Sequence, residues 1–212
     1  MRPTLSAILL LAMACDRPPT GDAIAIGDSY FDWNHGADIP DVVGETLDLE
    51  VANEAIAGAS LTAGEDIRDQ YVADEWQFLL MNGGGNDFRD ECDCTRCADN
   101  LDDMVDADGD SGALIDFVTE VGAGGVPVFY FFYPLLPPGT EFEPCIPVLL
   151  ELRDRMALAA AEREDLTVID GGEVVTPDQA RMYDEDDVHP SEEGSQALGA
   201  YAAGIISKTL GR

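Results

Sequence analysis

Five short apolar runs recur along the chain, and polar segments that contain glycine separate them. The runs cover residues 22–27, 47–52, 76–81, 126–133 and 166–170. The run VPVFYFFY at 126–133 is the strongest, because aromatic and β-branched residues favour strands and a proline follows it. Short apolar runs of this kind are typical of strands that are buried on both faces of a parallel sheet. The pattern therefore predicts five strands.

Three other segments have helical character. Ser111 is expected to cap a helix over residues 113–121, which a glycine follows. Residues 147–164 are rich in Ala, Leu, Glu and Arg, which are strong helix formers, and a third helix is predicted over 191–209. Strands that alternate with helices predict an α/β domain, a parallel sheet with helices on both faces. Ligands of such domains bind beyond the carboxyl ends of the strands.

The composition fits a globular domain with an unusual charge. The chain has 212 residues, of which 43 are Asp or Glu and 11 are Lys or Arg, so its formal net charge is −32. Such a surface repels polyanions, which excludes nucleic acid as a partner and disfavours anionic substrates. Two interpretations of the charge stay open: a solvated surface that keeps the protein soluble, or adaptation to saline surroundings.

The N-terminus has the features of an export signal. A short positive start is followed by an apolar stretch over residues 5–13 and then by Ala14 and Cys15. This stretch is too short for a permanent membrane helix. The segment resembles a bacterial lipoprotein signal, which implies a signal peptide at 1–14, a lipid on Cys15, a tether at 15–21 and the functional domain at 22–212. Plain secretory cleavage, which gives a periplasmic or secreted protein, is the alternative.

Four further cysteines fit an oxidising compartment: Cys92, Cys94, Cys97 and Cys145. We expect two disulfides, with Cys145 joined to one member of the 92–97 cluster. That stretch is then a braced insertion that shapes a substrate pocket. Zinc is the rival interpretation of the thiols, and calcium is an open one for the acidic stretch 106–110. We predict no metal site and no cofactor.

The candidate chemistry starts from a shortage of histidine. Only His35 and His189 are present, and His189 follows Asp186 by three residues. A carboxylate at that spacing is able to accept the ring N–H and to fix the tautomer of the imidazole. Ser29 lies at the exit of the first predicted strand, after Gly27. With a helix expected to begin directly after Ser29, its backbone N–H would point at an oxyanion.

Two further turns follow strands and contain donors suited to an oxyanion. Gly58 ends the segment that follows the second strand, and Asn86 lies in GGGND after the third. A glycine N–H and an asparagine side-chain amide both stabilise tetrahedral intermediates, although both residues are also common in ordinary turns. The aromatic residues Tyr30 and Trp33, near Ser29, are equally compatible with the core and with a pocket wall.

Together these motifs resemble the SGNH, or GDSL-type, serine hydrolases. Gly27-Asp28-Ser29 is similar to the first block of the family, Gly58 to the second, Gly84 to Asp87 to the third, and Asp186 to His189 to the fifth. The resemblance implies a three-layer, flavodoxin-like fold. It also implies Ser29 as nucleophile, His189 as base, and Asp186 rather than Asp187 as its partner. The oxyanion donors it implies are Ser29 N–H, Gly58 N–H and the Asn86 side chain.

The function implied by the resemblance is hydrolysis of carboxylic esters through an acyl-enzyme. Short-acyl or acetyl esters of envelope or extracellular glycans are the suggested substrates, so the expected partner is a small-molecule or glycan ester. Contact with a membrane is expected only through a lipid on Cys15. Two alternatives stay open: an acyltransferase with the same triad, and a non-catalytic glycan-binding protein of this fold.

Overall fold

The computed structural model describes residues 18–212. The predicted export signal and Cys15, together with the first residues of the predicted tether, lie outside the described residues. The helices and strands within them, in chain order, are β1 (Ala23–Ile26), α1 (Ile39–Leu47), β2 (Val51–Asn53), β3 (Leu79–Met81), α2 (Gly85–Cys92), α3 (Ala98–Met104), α4 (Ala113–Ala123), β4 (Val128–Phe132), α5 (Ile146–Ala161), β5 (Leu166–Asp170) and α6 (Glu192–Leu210).

The five strands form one parallel sheet in the order β2-β1-β3-β4-β5. Registers such as Ala25 with Asn53 and Ile26 with Met81 align the carboxyl ends of β1, β2 and β3. This order belongs to the flavodoxin-like class of doubly wound folds, in which ligands bind where the strand order reverses. The reversal lies between β1 and β3, so the residues that follow these two strands are placed side by side.

The helices form two layers, as right-handed crossovers require. The chain moves from β1 to β2 in one direction through α1, and then moves the other way through β3, β4 and β5. Helix α1 therefore lies on one face, where it packs against α6. Helix α3 contacts α2, α4 and α5. Helix α4 also packs on β4, and α5 packs on β5. The predicted three-layer α/β fold is confirmed.

The α1–α6 contact depends on a small residue. Val42 of α1 lies against Gly199, where an added Cβ would come within 2.5 Å of the valine Cβ. Ser191 caps α6 by accepting a hydrogen bond from the Gly194 N–H at 3.1 Å. This satisfies one of the free donors of the first turn. Among the described residues, no helix has the length and apolar content needed to cross a bilayer.

Some element boundaries differ from the sequence prediction. The second strand was predicted over 47–52, but Leu47 ends α1 and Asp48 takes a left-handed conformation (φ 55°) that closes the helix. No helix begins directly after Ser29 either, because turns lead to α1 at Ile39. The predicted Ser111 cap is wrong: Gly112 precedes α4, and the Ser111 hydroxyl donates to Asp106 at 2.5 Å.

The cysteines form two disulfide pairs, Cys92–Cys97 and Cys94–Cys145. The second pair confirms that Cys145 joins one member of the cluster. It links the turn after α2 to the residue that precedes α5, two segments that are 51 residues apart in sequence. With all four sulfurs paired, the cluster offers no set of thiolates to zinc. In the acidic stretch, the Asp106 carboxylate instead accepts hydrogen bonds from the N–H groups of Asp108 and Asp110.

Candidate active site

Ser29 lies on a tight turn that side chains from two neighbouring segments hold in place. The Gln70 side chain accepts from the Gly27 N–H at 2.7 Å and donates to the Gly27 carbonyl at 2.9 Å. The Asn82 side chain, directly after β3, accepts from the Asp28 N–H at 3.2 Å. A Cβ at position 27 would overlap Asn82 Oδ1, so only glycine fits there. The turn thus presents Ser29 at the carboxyl edge of the sheet.

Beneath the serine, Asp28 is buried among hydrogen-bond donors. Its carboxylate accepts from the Asn82 side chain at 2.8 Å, the Tyr30 N–H at 2.9 Å and the Tyr133 hydroxyl at 2.5 Å. Burial raises the pKa of Asp28 above its ordinary value, and these hydrogen bonds oppose the rise. These hydrogen bonds connect Asp28 to the residues that follow β3 and β4, so Asp28 holds the Ser29 turn in place. Its buried carboxylate has a structural role.

His189 connects Ser29 with Asp186. Its Nε2 lies 2.8 Å from Ser29 Oγ, and its Nδ1 lies 2.6 Å from Asp186 Oδ2. The other oxygen of Asp186 accepts the N–H groups of Val188 and His189, both at 2.9 Å. Burial alone would raise the pKa of Asp186, but these hydrogen bonds outweigh it, so the pKa lies below its ordinary value. Asp186 therefore stays charged into the acid range.

Trp33 stacks on the imidazole of His189. The ring centroids are 3.8 Å apart and the planes are inclined by only 8°. The indole N–H donates to Asp184 at 2.9 Å, and the next residue, Asn34, donates to the Pro190 carbonyl at 2.7 Å. The loop after β1 thus holds both ends of the loop that carries His189.

The two candidate oxyanion donors after Ser29 differ in burial: Asn86 is buried and Gly58 is exposed. Asn86 is the second residue of α2. Its Nδ2 donates one hydrogen to the Ala59 carbonyl at 2.8 Å, which leaves the second amide hydrogen for a ligand. Asp87, beside it, accepts the Leu61 N–H at 2.8 Å, so the start of α2 holds the 59–62 segment. Gly58 precedes Ala59 in an exposed turn (φ 84°) and does not line the cavity beside Ser29.

Ser29, Asn86, Asp186 and His189 all border one cavity of about 370 Å³. Within the part of the chain that the structure describes, the N–H groups of Ser29 and Gly58 have no protein acceptor. The structure thus brings together every predicted site residue except Gly58, which does not line the cavity and whose neighbour Ala59 accepts a hydrogen bond from Asn86. The rest of the wall is mainly apolar and comes from β4, from the segment after it and from α5: Phe132, Tyr133, Pro134, Leu135, Leu136, Phe142, Ile146 and Leu149.

Several residues that support the site were not identified from the sequence. The sequence does not distinguish a core position from a pocket wall for Trp33, and it contains no signal for Gln70 or Asn82. Their partners are 43 to 156 residues away, so no local spacing indicates them. His35, the other histidine, is exposed, lies 3.5 Å from Asp32 and does not line the cavity beside Ser29. Within residues 18–212, no group of three or more His, Cys, Asp or Glu side chains is arranged to hold a metal ion.

Comparison with known families gives one match over most of the chain. The model of the GDSL-like Lipase/Acylhydrolase family matches residues 21–197. No curated protein has a sequence that matches this chain. The matched range contains the Ser29 turn, Asn86 and the Asp186–His189 loop.

Solved structures with similar folds include three esterases or lipolytic proteins. A member of the lipolytic protein G-D-S-L family from Veillonella parvula has 18% identity and a TM-score of 0.63, with 88% of this chain and 97% of that chain covered. A family two carbohydrate esterase from Clostridium thermocellum, in complex with cellohexaose, has 18% identity, a TM-score of 0.60 and coverage of 92% and 66%. The M. smegmatis aryl esterase has 14% identity and a TM-score of 0.60, with 88% of this chain and 98% of that chain covered. At these identities the likeness shows the fold.

Proposed function

The chain belongs to the GDSL-like lipase/acylhydrolase family, whose members are serine hydrolases that act on esters, and from this premise we propose that it hydrolyses carboxylic esters through an acyl-enzyme on Ser29. One observation carries the proposal: an unbroken line of contacts from Asp186 through His189 to Ser29, with distances of 2.6 and 2.8 Å. A nucleophile, a base and an orienting carboxylate in hydrogen-bond reach define a catalytic triad by geometry.

Acylation begins when Ser29 Oγ attacks the ester carbonyl carbon and His189 Nε2 takes the hydroxyl proton. The C–O bond to the alcohol then breaks, and His189 returns the proton to the departing oxygen. Water attacks the acyl-enzyme in the second half and its proton passes to His189. The Ser29–acyl bond then breaks to release the acid, and His189 returns the proton to Ser29 Oγ. Asp186 accepts the Nδ1–H throughout and stabilises the imidazolium that forms in each half.

The tetrahedral intermediate needs donors for its oxyanion. We assign this role to the free N–H of Ser29, the second amide hydrogen of Asn86, and the N–H of Gly58. Ser29 and Asn86 border the cavity, and the Asn86–Ala59 hydrogen bond holds the residue after Gly58 against α2. Each such donor contributes roughly 10²- to 10³-fold to kcat in acyl transfer.

The proposal extends to the setting of the reaction. We place the protein outside the cytoplasm, lipid-anchored if Cys15 is modified, and the two disulfides support an oxidising compartment. The substrate is a small-molecule or carbohydrate ester. A transferase would use the same residues and differ only in the acceptor. A protein that only binds glycans would not need the continuous contact between Ser29, His189 and Asp186.

A fluorophosphonate probe tests the proposal directly. Such probes phosphonylate only an activated serine, so the folded full chain should give a single adduct, which peptide mass spectrometry should locate at Ser29. Heat-unfolded protein and the Ser29→Ala variant serve as controls and should stay unlabelled. An adduct on another serine, or equal labelling of the unfolded chain, would contradict the assignment.

Trp33 should act as a positioning residue for His189. Its stacked ring fixes the imidazole plane and attracts the imidazolium formed during turnover, which is typically worth about 0.5–2 kcal/mol. We expect Trp33→Ala to lower kcat by roughly 2- to 30-fold with little change in KM. Trp33→Phe, which keeps a stacking ring, should recover part of the loss.

The comparison of the two variants separates positioning from folding. Melting temperatures of both variants should be measured beside kcat and KM for a p-nitrophenyl ester. If Phe is as poor as Ala, or if KM rises while kcat holds, Trp33 does not act through the histidine.

A further inference from the structure

We propose that the cavity beside Ser29 is an acyl pocket that takes an unbranched, uncharged acyl chain of medium length, butyryl to octanoyl, in preference to acetyl. The inference rests on the proposed function and deepens it, because it specifies the substrate of the same serine. It departs from the short-acyl expectation drawn from the family, and it depends on the side chains that this chain places around the cavity.

The cavity has the size and lining of a pocket for an apolar group. Its volume of about 370 Å³ lies within the range of about 300–1,000 Å³ that is usual for small-molecule sites. Phe132, Tyr133 and Leu149 are buried and form its deep wall, and Ile146 is half-buried beside them. An acetyl group would contact little of this wall, so the favourable transfer of apolar surface would be lost.

The positions of the catalytic groups indicate which part of the ester enters the cavity. Asp186 is 40% exposed, and Val188 is half-buried, so the His189 side of the site faces solvent. The alcohol receives its proton from His189 and leaves on that side. The acyl group stays bonded to Ser29, with its oxygen towards Asn86. The acyl chain then extends towards β4 and α5, where the buried side chains of Phe132 and Leu149 line the cavity.

The lining of the cavity also contains charged side chains, those of Arg89 and Glu141. The Arg89 guanidinium lies 5.0 Å from the centre of the Phe142 ring and pairs with Asp90 at 2.7 Å and Glu141 at 3.4 Å. Its positive charge is already matched by two carboxylates, in a protein whose net charge is −32. An acyl chain that ends in a carboxylate therefore gains no free cation here, and the pocket selects a neutral chain.

The pocket is built before substrate arrives. The Cys94–Cys145 disulfide links the turn after α2 to the residue before Ile146, so the α2 and α5 walls are held together. Tyr133, directly after β4, is fixed by its hydrogen bond to Asp28. A preformed wall spares the substrate the cost of ordering it, and chain length then determines how much apolar surface is buried.

The test measures kcat/KM of the full chain for p-nitrophenyl esters from acetate to dodecanoate. We expect kcat/KM to rise about threefold to fourfold per methylene up to a medium-length optimum, as burial of a methylene group predicts, and then to fall. The isomers ethyl hexanoate and hexyl acetate identify the side of the ester that binds. Preference for ethyl hexanoate supports an acyl pocket, whereas preference for hexyl acetate would overturn it.

Two variants of one residue move the optimum in opposite directions. Leu149→Trp fills the cavity and should lower the ratio of hexanoate to acetate kcat/KM by about tenfold or more, since each methylene kept away from the wall loses about threefold to fourfold. Leu149→Ala enlarges the cavity and should shift the optimum to longer chains. Leu158→Trp is the matched control, because Leu158 lies on the same helix, is 53% exposed and is remote from the cavity.

The outcomes separate this inference from the proposed function. One outcome is that the protein prefers acetate, that turnover is lost in Ser29→Ala, and that neither Leu149 variant changes the preference. This outcome would overturn the acyl pocket and leave the serine esterase assignment intact. Turnover that survives Ser29→Ala, or no turnover of any ester by folded wild-type protein, would overturn the proposed function itself. If Leu149→Trp does not fold, the direction of the shift in Leu149→Ala decides the question.

Discussion

Replacing Ser29 with alanine should lower kcat for ester hydrolysis by roughly 10⁴- to 10⁶-fold and leave the fold intact. The hydroxyl is the only group lost, and it contacts His189 rather than the core. His189→Ala should lower kcat by a similar factor, because a serine without its base is a poor nucleophile at neutral pH. The double variant should be no worse than either single variant, since the two groups act as one unit.

The measurement is single-turnover and steady-state hydrolysis of a p-nitrophenyl ester by the four proteins of this cycle. His35→Ala is the matched control, since it removes the other histidine, which is exposed and does not line the cavity beside Ser29, and it should retain full activity. Losses that multiply in the double variant would mean that Ser29 and His189 act independently, and the proposed mechanism would then be wrong.

The sequence was informative about the sheet because the strands are buried and strongly apolar. β4 lies entirely within the predicted run at 126–133, and its five residues are all buried. Helices α5 and α6 are long enough to be recognised from composition and from the Ser191 cap. In contrast, α2 and α3 have only 8 and 7 residues, too few to display helical periodicity. The glycines of GGGND therefore indicated a turn, although Asn86 lies within a helix.

The reactive side chains of the site could be predicted from the sequence, but the residues that hold them in position could not. Ser29 and Asn86 follow β1 and β3, and the reversal of strand order between these strands places them at one edge. The spacing of Asp186 and His189 is local, so it too was visible. The stacking of Trp33 on His189 depends on two loops that only the complete fold brings together. The same is true of the cavity, whose wall joins α2, β4 and α5.

The strictest test of the orienting carboxylate is Asp186→Asn. We expect kcat to fall by roughly 10²- to 10⁴-fold with little change in KM. An asparagine that keeps its oxygen on the Val188 and His189 N–H groups must turn its amide NH₂ towards His189 Nδ1. That nitrogen then accepts, so the ring carries its proton on Nε2 and cannot take one from Ser29. The flipped amide would instead lose both backbone hydrogen bonds.

Asp187→Asn is the matched control for this variant, because it makes the same change one residue away. Asp187 is exposed, takes a left-handed conformation (φ 57°), and its N–H donates to the Asp184 carbonyl at 3.0 Å, whereas Asp186 holds the ring. We therefore expect Asp187→Asn to retain kcat within about twofold, since asparagine also tolerates that conformation. Equal losses in the two variants would indicate a diffuse effect of the acidic loop, and a loss confined to Asp187→Asn would move the orienting role to that residue.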